Sequence, residues 1–310
     1  MSASGFILYD KPAGPTSFSA LGDLKRTLGT TKLGHTGTLD SFATGLLVVL
    51  VGAYSRITPW IVGLDKEYEA TIAFGAETDT LDPIGRPIAF APPPSREAIE
   101  SALPEFIGTL LQVPPKYSAL HIGGVRASDK ARRGEEFDIA PRRVAIGSIQ
   151  FLSYEASAGE GTPASQGALV RLRLSCSSGT YVRSFARDLA LRLGSRAHLA
   201  ALRRTAVGPF RVENAMDSAD PDISPRALDA ETALAIGLGV VRIGQSRAGD
   251  FALGKLSALS HLVPTLTPSS DTAVFVEGGP YDGAFLGIVG WKEEKPCFRL
   301  VLAPAREEGR

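Results

Sequence analysis

Hydrophobic positions along this chain repeat with two periods, and each change of period marks an element. In "KEYEATIAFG", residues 66–75, Tyr68, Ala70, Ile72 and Phe74 alternate with Glu67, Glu69 and Thr71. A period of two predicts a strand with one buried face. A second alternation over 168–176 puts Val170, Leu172 and Leu174 on one face and Arg171 and Arg173 on the other. After "SSGTYVR", Val182, Phe185, Leu189 and Leu193 fall at helical spacing, with Arg183, Arg187 and Arg192 outside the apolar stripe. The unbroken run Leu46 to Val51 predicts a fully buried strand.

Gly5 to Tyr9 predicts an opening strand stopped by Lys11-Pro12, and Ser17 is positioned to cap a helix that Gly29 ends. Residues 54–63 suit a helix, Ser95 caps another that Pro104 interrupts, and a further strand is expected near 144–152. A Gly/Ser/Ala stretch at 156–167 and an Asp/Pro/Ser-rich break at 217–225 interrupt the pattern. A short helix and a glycine-punctuated, β-rich tail from about 240 follow. The expectation is an α+β fold with one domain over 1–235 and a small β-rich domain over 240–305. Residues 114–143 are polar, basic and rich in glycine, and look like an insertion carrying a short helix.

Composition changes this picture little. The chain has 310 residues, 44% of them hydrophobic and 21% charged, as in ordinary folded proteins. No apolar run is long enough to span a bilayer, and the N-terminus lacks the basic region of a secretory signal. Cys176 and Cys297 lie far apart, against a disulfide framework or structural zinc. A reducing, cytoplasmic setting is the expectation.

Charge is more informative. The net charge is zero, yet residues 1–211 carry 24 basic and 19 acidic side chains, and the acidic excess lies in the remainder. Residues 171–204 hold eight arginines, no lysine and one acid, Asp188. Arginine suits bidentate contact with phosphate. A solvated charged face is the bland alternative.

Chemistry centres on "GHTGTLDSFATGLL", residues 34–47, where a lone acid, Asp40, precedes a buried strand. Asp40 either ties a turn or does chemistry. The glycines are not followed by the Gly-Lys-Ser/Thr of a phosphate-binding loop. Taken singly, His35, Tyr68, Tyr117 and Tyr181 each have an ordinary structural role as well.

Taken together, six motifs resemble bacterial TruB-type tRNA pseudouridine synthases across residues 5–211. They are "GFILYDKPAGPTSF", "GHTGTLDSFATGLL", "KEYEATIAFGAETDTLDPIG", "VPPKYSALHIGGVR", "SSGTYVRSFARDLALRLG" and "HLAALRRTAVGPF". The resemblance implies a catalytic domain with a central mixed or antiparallel sheet flanked by helices, and a small PUA-like RNA-binding domain at the C-terminus. It implies isomerisation of the T-loop uridine at tRNA position 55 to pseudouridine, by a monomer. Breaking N1–C1′ and forming C5–C1′ imports no group, so no cofactor and no metal are expected. The partner is the T-arm of tRNA.

Carried over by position, Asp40 matches the catalytic aspartate, Tyr68 the tyrosine that stacks on the base and handles a proton, and Arg183 the arginine that ion-pairs with the aspartate. Tyr181 matches a pocket aromatic, His35 the histidine that helps hold the nucleotide flipped out, and Leu202 an apolar pocket residue. Arg56, Tyr117, Arg203 and Arg204 complete the expected substrate contacts, with the arginine-rich segment and the 114–143 insertion as clamps on phosphate. The chain departs from the family at Ser41, where proline is usual, at Arg56 and His121, where lysine is, and at Ser128, where tyrosine is common. Two rivals remain: a tRNA-binding or folding module without activity, and a carboxylate-using glycosidase, which needs a second acid such as Asp79 or Asp82.

Overall fold

The computed structural model describes residues 4–157, 167–217, 220, 222–268 and 270–302. The Gly/Ser/Ala stretch lies outside the described residues except at its ends, as does part of the polar break at 217–225.

The first strand, β1 (Gly5–Lys11), leads through α1 (Ser17–Thr27) and β2 (Leu33–His35) to β3 (Thr44–Val51). Thr16, not Ser17, caps α1, its side chain accepting from Ser19 N. A short 3-10 turn and α2 (Thr58–Val62) precede β4 (Lys66–Phe74). A hairpin of β5 (Ala76–Thr78) and β6 (Pro87–Phe90), then α3 (Arg96–Ala102), lead to β7 (Gly108–Gln112). The insertion folds as a small hairpin, β8 (His121–Ile122) and β9 (Val125–Arg126), followed by α4 (Ala127–Arg132). Strands β10 (Arg142–Ser157) and β11 (Gly167–Cys176), α5 (Val182–Arg192), β12 (Ala197–Val207) and β13 (Phe210–Arg211) complete the large sheet.

Strand order is β1-β3-β12-β4-β11-β10-β7, with β2 beside β3 and β13 beside β12. Every pair is antiparallel except β12 with β3, so the sheet is mixed. The alternation in β4 is realised: Tyr68, Ala70, Ile72 and Phe74 face a core that also takes Val170, Leu172 and Leu174 from β11 and Phe185 and Leu189 from α5.

Strand β12 lies at the centre of the sheet, and the sequence reading did not predict it. Its inward positions include a buried Arg204 where an apolar residue would complete the alternation. Two shifts of register against β4, at Leu199/Ala201 and Arg204/Ala206, further blur its period.

The C-terminal part is the expected small β-rich unit, with two helices set between its strands. After α6 (Ala230–Ala235) and β14 (Gly239–Gly244), the helices α7 (Gln245–Ala252) and α8 (Leu256–Leu262) precede β15 (Thr272–Glu277), β16 (Phe285–Lys292) and β17 (Lys295–Val301). These four strands form a separate sheet. Both helices are short and one carries Gly249 inside it, so their period was faint in the sequence.

The two sheets share one core. Phe6, Leu46, Val48 and Leu50 of the large sheet cluster with Phe275, Phe285 and Ile288 of the small one. Phe285 packs against Phe275 at 5.4 Å and edge-on against Tyr54 at 5.9 Å. Trp60 donates to Asp271 at 3.0 Å across the same junction. Phe285→Ala is therefore expected to cost about 3–5 kcal/mol and to weaken both parts together. The chain's two tryptophans, Trp60 and Trp291, report one part each in urea unfolding of single-tryptophan variants. A shift confined to the Trp291 signal would show two independent units.

Candidate active site

The loop between β2 and β3 carries Asp40, and four neighbouring residues fix it. Ser17 Oγ donates to Leu39 O at 2.9 Å and accepts from Leu39 N at 2.7 Å. Ser41 O accepts from Gly14 N at 2.8 Å and from the fully buried Lys11 ammonium at 3.4 Å. Lys11 also donates to Pro12 O and Pro15 O. Hydrogen bonds to its carbonyl thus hold the position where the family usually has proline. Arg204 closes the loop from β12, through Gly37 O at 3.0 Å and Leu46 O at 2.7 Å.

Arg183 enters from the first turn of α5 and is 4% exposed. Its Nε meets Asp40 Oδ2 at 2.9 Å and its Nη2 donates to Asp40 Oδ1 at 3.1 Å, a bidentate pair. The remaining N–H groups reach Thr80 O at 2.9 Å, Tyr117 O at 2.9 Å and Asp82 Oδ2 at 3.7 Å. One guanidinium thereby joins the loops around 40, 80 and 117 to α5.

A cavity of about 680 Å³ opens over this pair. Asp40, Tyr68, Tyr117, Tyr181, Arg183 and Leu202 all line it. About a third of the Asp40 side chain is reachable from the cavity. Burial pushes its carboxyl above the ordinary aspartate range; Arg183 pulls it back and Asp82 pushes it up. Burial is the larger effect, so the pairing with Arg183 offsets it only in part. Burial likewise raises the Tyr68 phenol, against the pull of Arg204.

Four expected substrate contacts are placed differently. Arg203 pairs with Asp10 at 2.6 Å and 3.0 Å, on the face of β12 opposite Arg204. Arg204 is 2% exposed and occupied by backbone carbonyls, so it is no surface clamp on phosphate. Arg56 donates to Val301 O at 3.1 Å and does not line the cavity. His35 does not line the cavity, although Thr36 beside it does, and its buried Nδ1 has no partner among the described residues. Burial holds the His35 ring below its usual range and so in the neutral form at neutral pH.

Each of the eight arginines of the segment has a partner within the protein, with the side chains of Arg171, Arg173 and Arg192 remaining exposed. Seven meet carboxylates: Arg171 and Arg173 at Glu69, Arg183 at Asp40, Arg187 at Asp188, Arg192 at Glu105, Arg196 at Glu77 and Arg203 at Asp10. Arg204 is the eighth.

Sequence reading missed Lys11, read only as the end of a strand, and Lys66, which lines the cavity. Lys66 donates to Val62 O at 2.7 Å and to Leu64 O, and burial lowers its ammonium to about 8. Asp82 was weighed only as a hydrolase acid. Its position inside a motif beside Asp79 gave no sign that it would share Arg183.

Comparison with known proteins agrees with this geometry. The family described as TruB family pseudouridylate synthase (N terminal domain) matches residues 25–182. The chain is similar to tRNA pseudouridine synthase B of Treponema pallidum, 47% identical over 222 residues that cover 67% of this chain and 61% of that protein. The chain thus spans about three fifths of the length of that relative. Against the enzyme of the same name from Borreliella burgdorferi it is 45% identical over 212 residues, 68% of this chain and 72% of that protein. For the Bordetella pertussis protein the figures are 43% over 220 residues, 70% and 86%. Among solved structures, the Cbf5-Nop10-Gar1 complex contains a chain with a TM-score of 0.64 at 23% identity, covering 96% of this chain and 83% of that one, a likeness of fold. With the family's motif aspartate and arginine meeting over one cavity, the chain belongs to the TruB family of pseudouridylate synthases.

Proposed function

We propose that this protein isomerises the T-loop uridine at position 55 of tRNA to pseudouridine, in the cytoplasm, as a monomer whose one chain completes the cavity. The bidentate Arg183–Asp40 pair at the base of an open cavity carries the reading. Its relatives' printed name, tRNA pseudouridine synthase B, supports the substrate class.

Within this reading the target nucleotide leaves its stack and enters the cavity. Tyr68 stacks on the uracil, and Tyr181 and Leu202 wall the pocket. The Asp40 carboxylate meets C1′ of the ribose. It stabilises positive charge there, attacks that carbon or removes a sugar proton, and each route needs the ionised form. N1–C1′ breaks, the uracil turns, C5–C1′ forms, and the C5 proton leaves to Tyr68 or solvent while N1 gains one. Atoms and electrons balance without a co-reactant.

Phosphate contacts pass to other cations in this reading. Lys116 and Arg126 are exposed and have no acidic partner among the described residues, and Arg126 lines the cavity. The C-terminal sheet serves as a PUA-like RNA-binding domain. The glycosidase alternative is weakened by the state of its second acid. Asp82 Oδ1 already accepts from Thr80 Oγ1 at 2.6 Å and from Ile84 N at 3.1 Å, and Asp79 Oδ1 accepts from Arg86 N.

Incubation with an unmodified tRNA transcript and mapping of the product tests the proposal. Pseudouridine is expected at position 55 with the wild type and none with Asp40→Asn, which should still bind the transcript. Tight binding without product from the wild type would favour the non-catalytic module.

The pH dependence has a definite sign. Burial and Asp82 both favour the neutral carboxyl, so Asp40 ionises later than a free aspartate as pH rises. The acid limb of the single-turnover rate should therefore have its midpoint above 3.8. A midpoint at or below that value would remove Asp40 from the chemical step.

Lys116→Ala and Arg126→Ala should each weaken RNA binding and flatten its salt dependence by about 0.7–0.9 in log–log slope. Arg203→Ala should leave that slope unchanged, since Asp10 already occupies Arg203. Equal slopes for all three variants would move the RNA path away from the insertion.

A further inference from the structure

Arg204 is the most deeply placed cation of the cavity wall that makes no ion pair among the described residues. Its Nε donates to Leu46 O at 2.7 Å, its Nη2 to Gly37 O at 3.0 Å, and its Nη1 reaches Thr38 O at 3.5 Å. Two of these carbonyls precede Asp40 and one follows it, so a single side chain grips both ends of the loop. The backbone at this point is equally constrained. Gly45, at φ +103°, lies so close to β12 that a Cβ there would come within 2.3 Å of Arg204 O.

On the strand's other edge Arg204 stands directly opposite Tyr68 in the β12–β4 register. Both side chains are buried and line the cavity. Burying an arginine without a carboxylate is costly, and replacing it by an apolar residue would relieve that cost if packing were its only task. Its hydrogen bonds instead hold the loop that carries Asp40, from a strand that faces Tyr68.

We propose that Arg204 is a positioning residue for the isomerisation: it clamps both ends of the Asp40 loop and so fixes where the carboxylate lies relative to the phenol oxygen of Tyr68 on the neighbouring strand. The inference rests on the function proposed above. A misplacement of about 1 Å at a reacting group costs about 100-fold in rate, which sets the scale expected for its loss.

Three charged or titratable groups bear on Tyr68 from the elements around it: Arg204 from β12, Cys176 from β11 and Asp40 from its loop. Arg204 favours the phenolate, and the other two oppose it. Loss of Arg204 should therefore push the phenol further up.

The test compares Arg204→Met and Arg204→Lys with the wild type, each in the native and the Tyr68→Phe background. In the native background Arg204→Met should lower the single-turnover rate about 100-fold with RNA affinity little changed, and Arg204→Lys should recover part of it. In the Tyr68→Phe background most of that loss should disappear. A brace that acts only on folding would give the same loss in both backgrounds, and that result, or a wild-type rate in Arg204→Met, would overturn the proposal. If Arg204→Met does not fold, Arg204→Lys supports the same comparison at smaller amplitude.

A fluorinated tyrosine at position 68 gives a readout independent of activity. Its titration midpoint should rise when Arg204 is replaced, and an unmoved midpoint would overturn the inference. A wild type that makes no pseudouridine would fail the preceding proposal instead, and this titration would still decide whether Arg204 acts on Tyr68.

Discussion

The structure around the cavity depends on one buried guanidinium. Arg183 has five N–H groups, and their partners lie on segments far apart in sequence: Asp40, Thr80, Asp82 and Tyr117. A planar fork with fixed directions suits this task, and a lysine ammonium could not reproduce it. Leaving a buried partner uncompensated costs about 3–5 kcal/mol. The loops that form the cavity therefore cannot drift apart independently, and Asp40 is held in place by the same contact that moderates its proton affinity.

That moderation is incomplete, which suits the proposed chemistry. A carboxylate fully neutralised by its partner would be a weak nucleophile and a weak base. Here burial and Asp82 raise the proton affinity of Asp40 while Arg183 restrains it. The Asp40 carboxyl is thereby more basic than a free aspartate, and it is partly open to the cavity. The neighbouring cations experience the converse. Lys11 and Lys66 are both held below the ordinary lysine range by burial, with Arg204 adding to the push.

The parts of the fold that were legible in the sequence are those whose burial follows a simple period. The alternating faces of β4 and β11, the apolar run of β3 and the stripe of α5 all match the observed core. Strand β12 was not legible, because Arg204 breaks its inner face and bulges interrupt its register. Motif resemblance located Asp40, Tyr68 and Arg183 together, yet it could not show which arginines face solvent. Charge pattern alone makes a run of eight arginines look like a phosphate track. Their acids are supplied from distant segments, by Asp10, Asp40, Glu69, Glu77 and Glu105, and linear composition cannot reveal such pairing.

The abundance of arginine in that segment has a structural explanation. Strands β11 and β12 flank β4, and their outward arginines meet Glu69 of β4 and Asp10 of β1. Exposed pairs of this kind contribute little to stability, on the order of 0–1 kcal/mol each. They do neutralise charge on the sheet's outer face. In the proposed function, Lys116 and Arg126 on the insertion beside the cavity are exposed cations without an acidic partner among the described residues. A protein with no net charge can in this way present a local basic surface at the mouth of its proposed site.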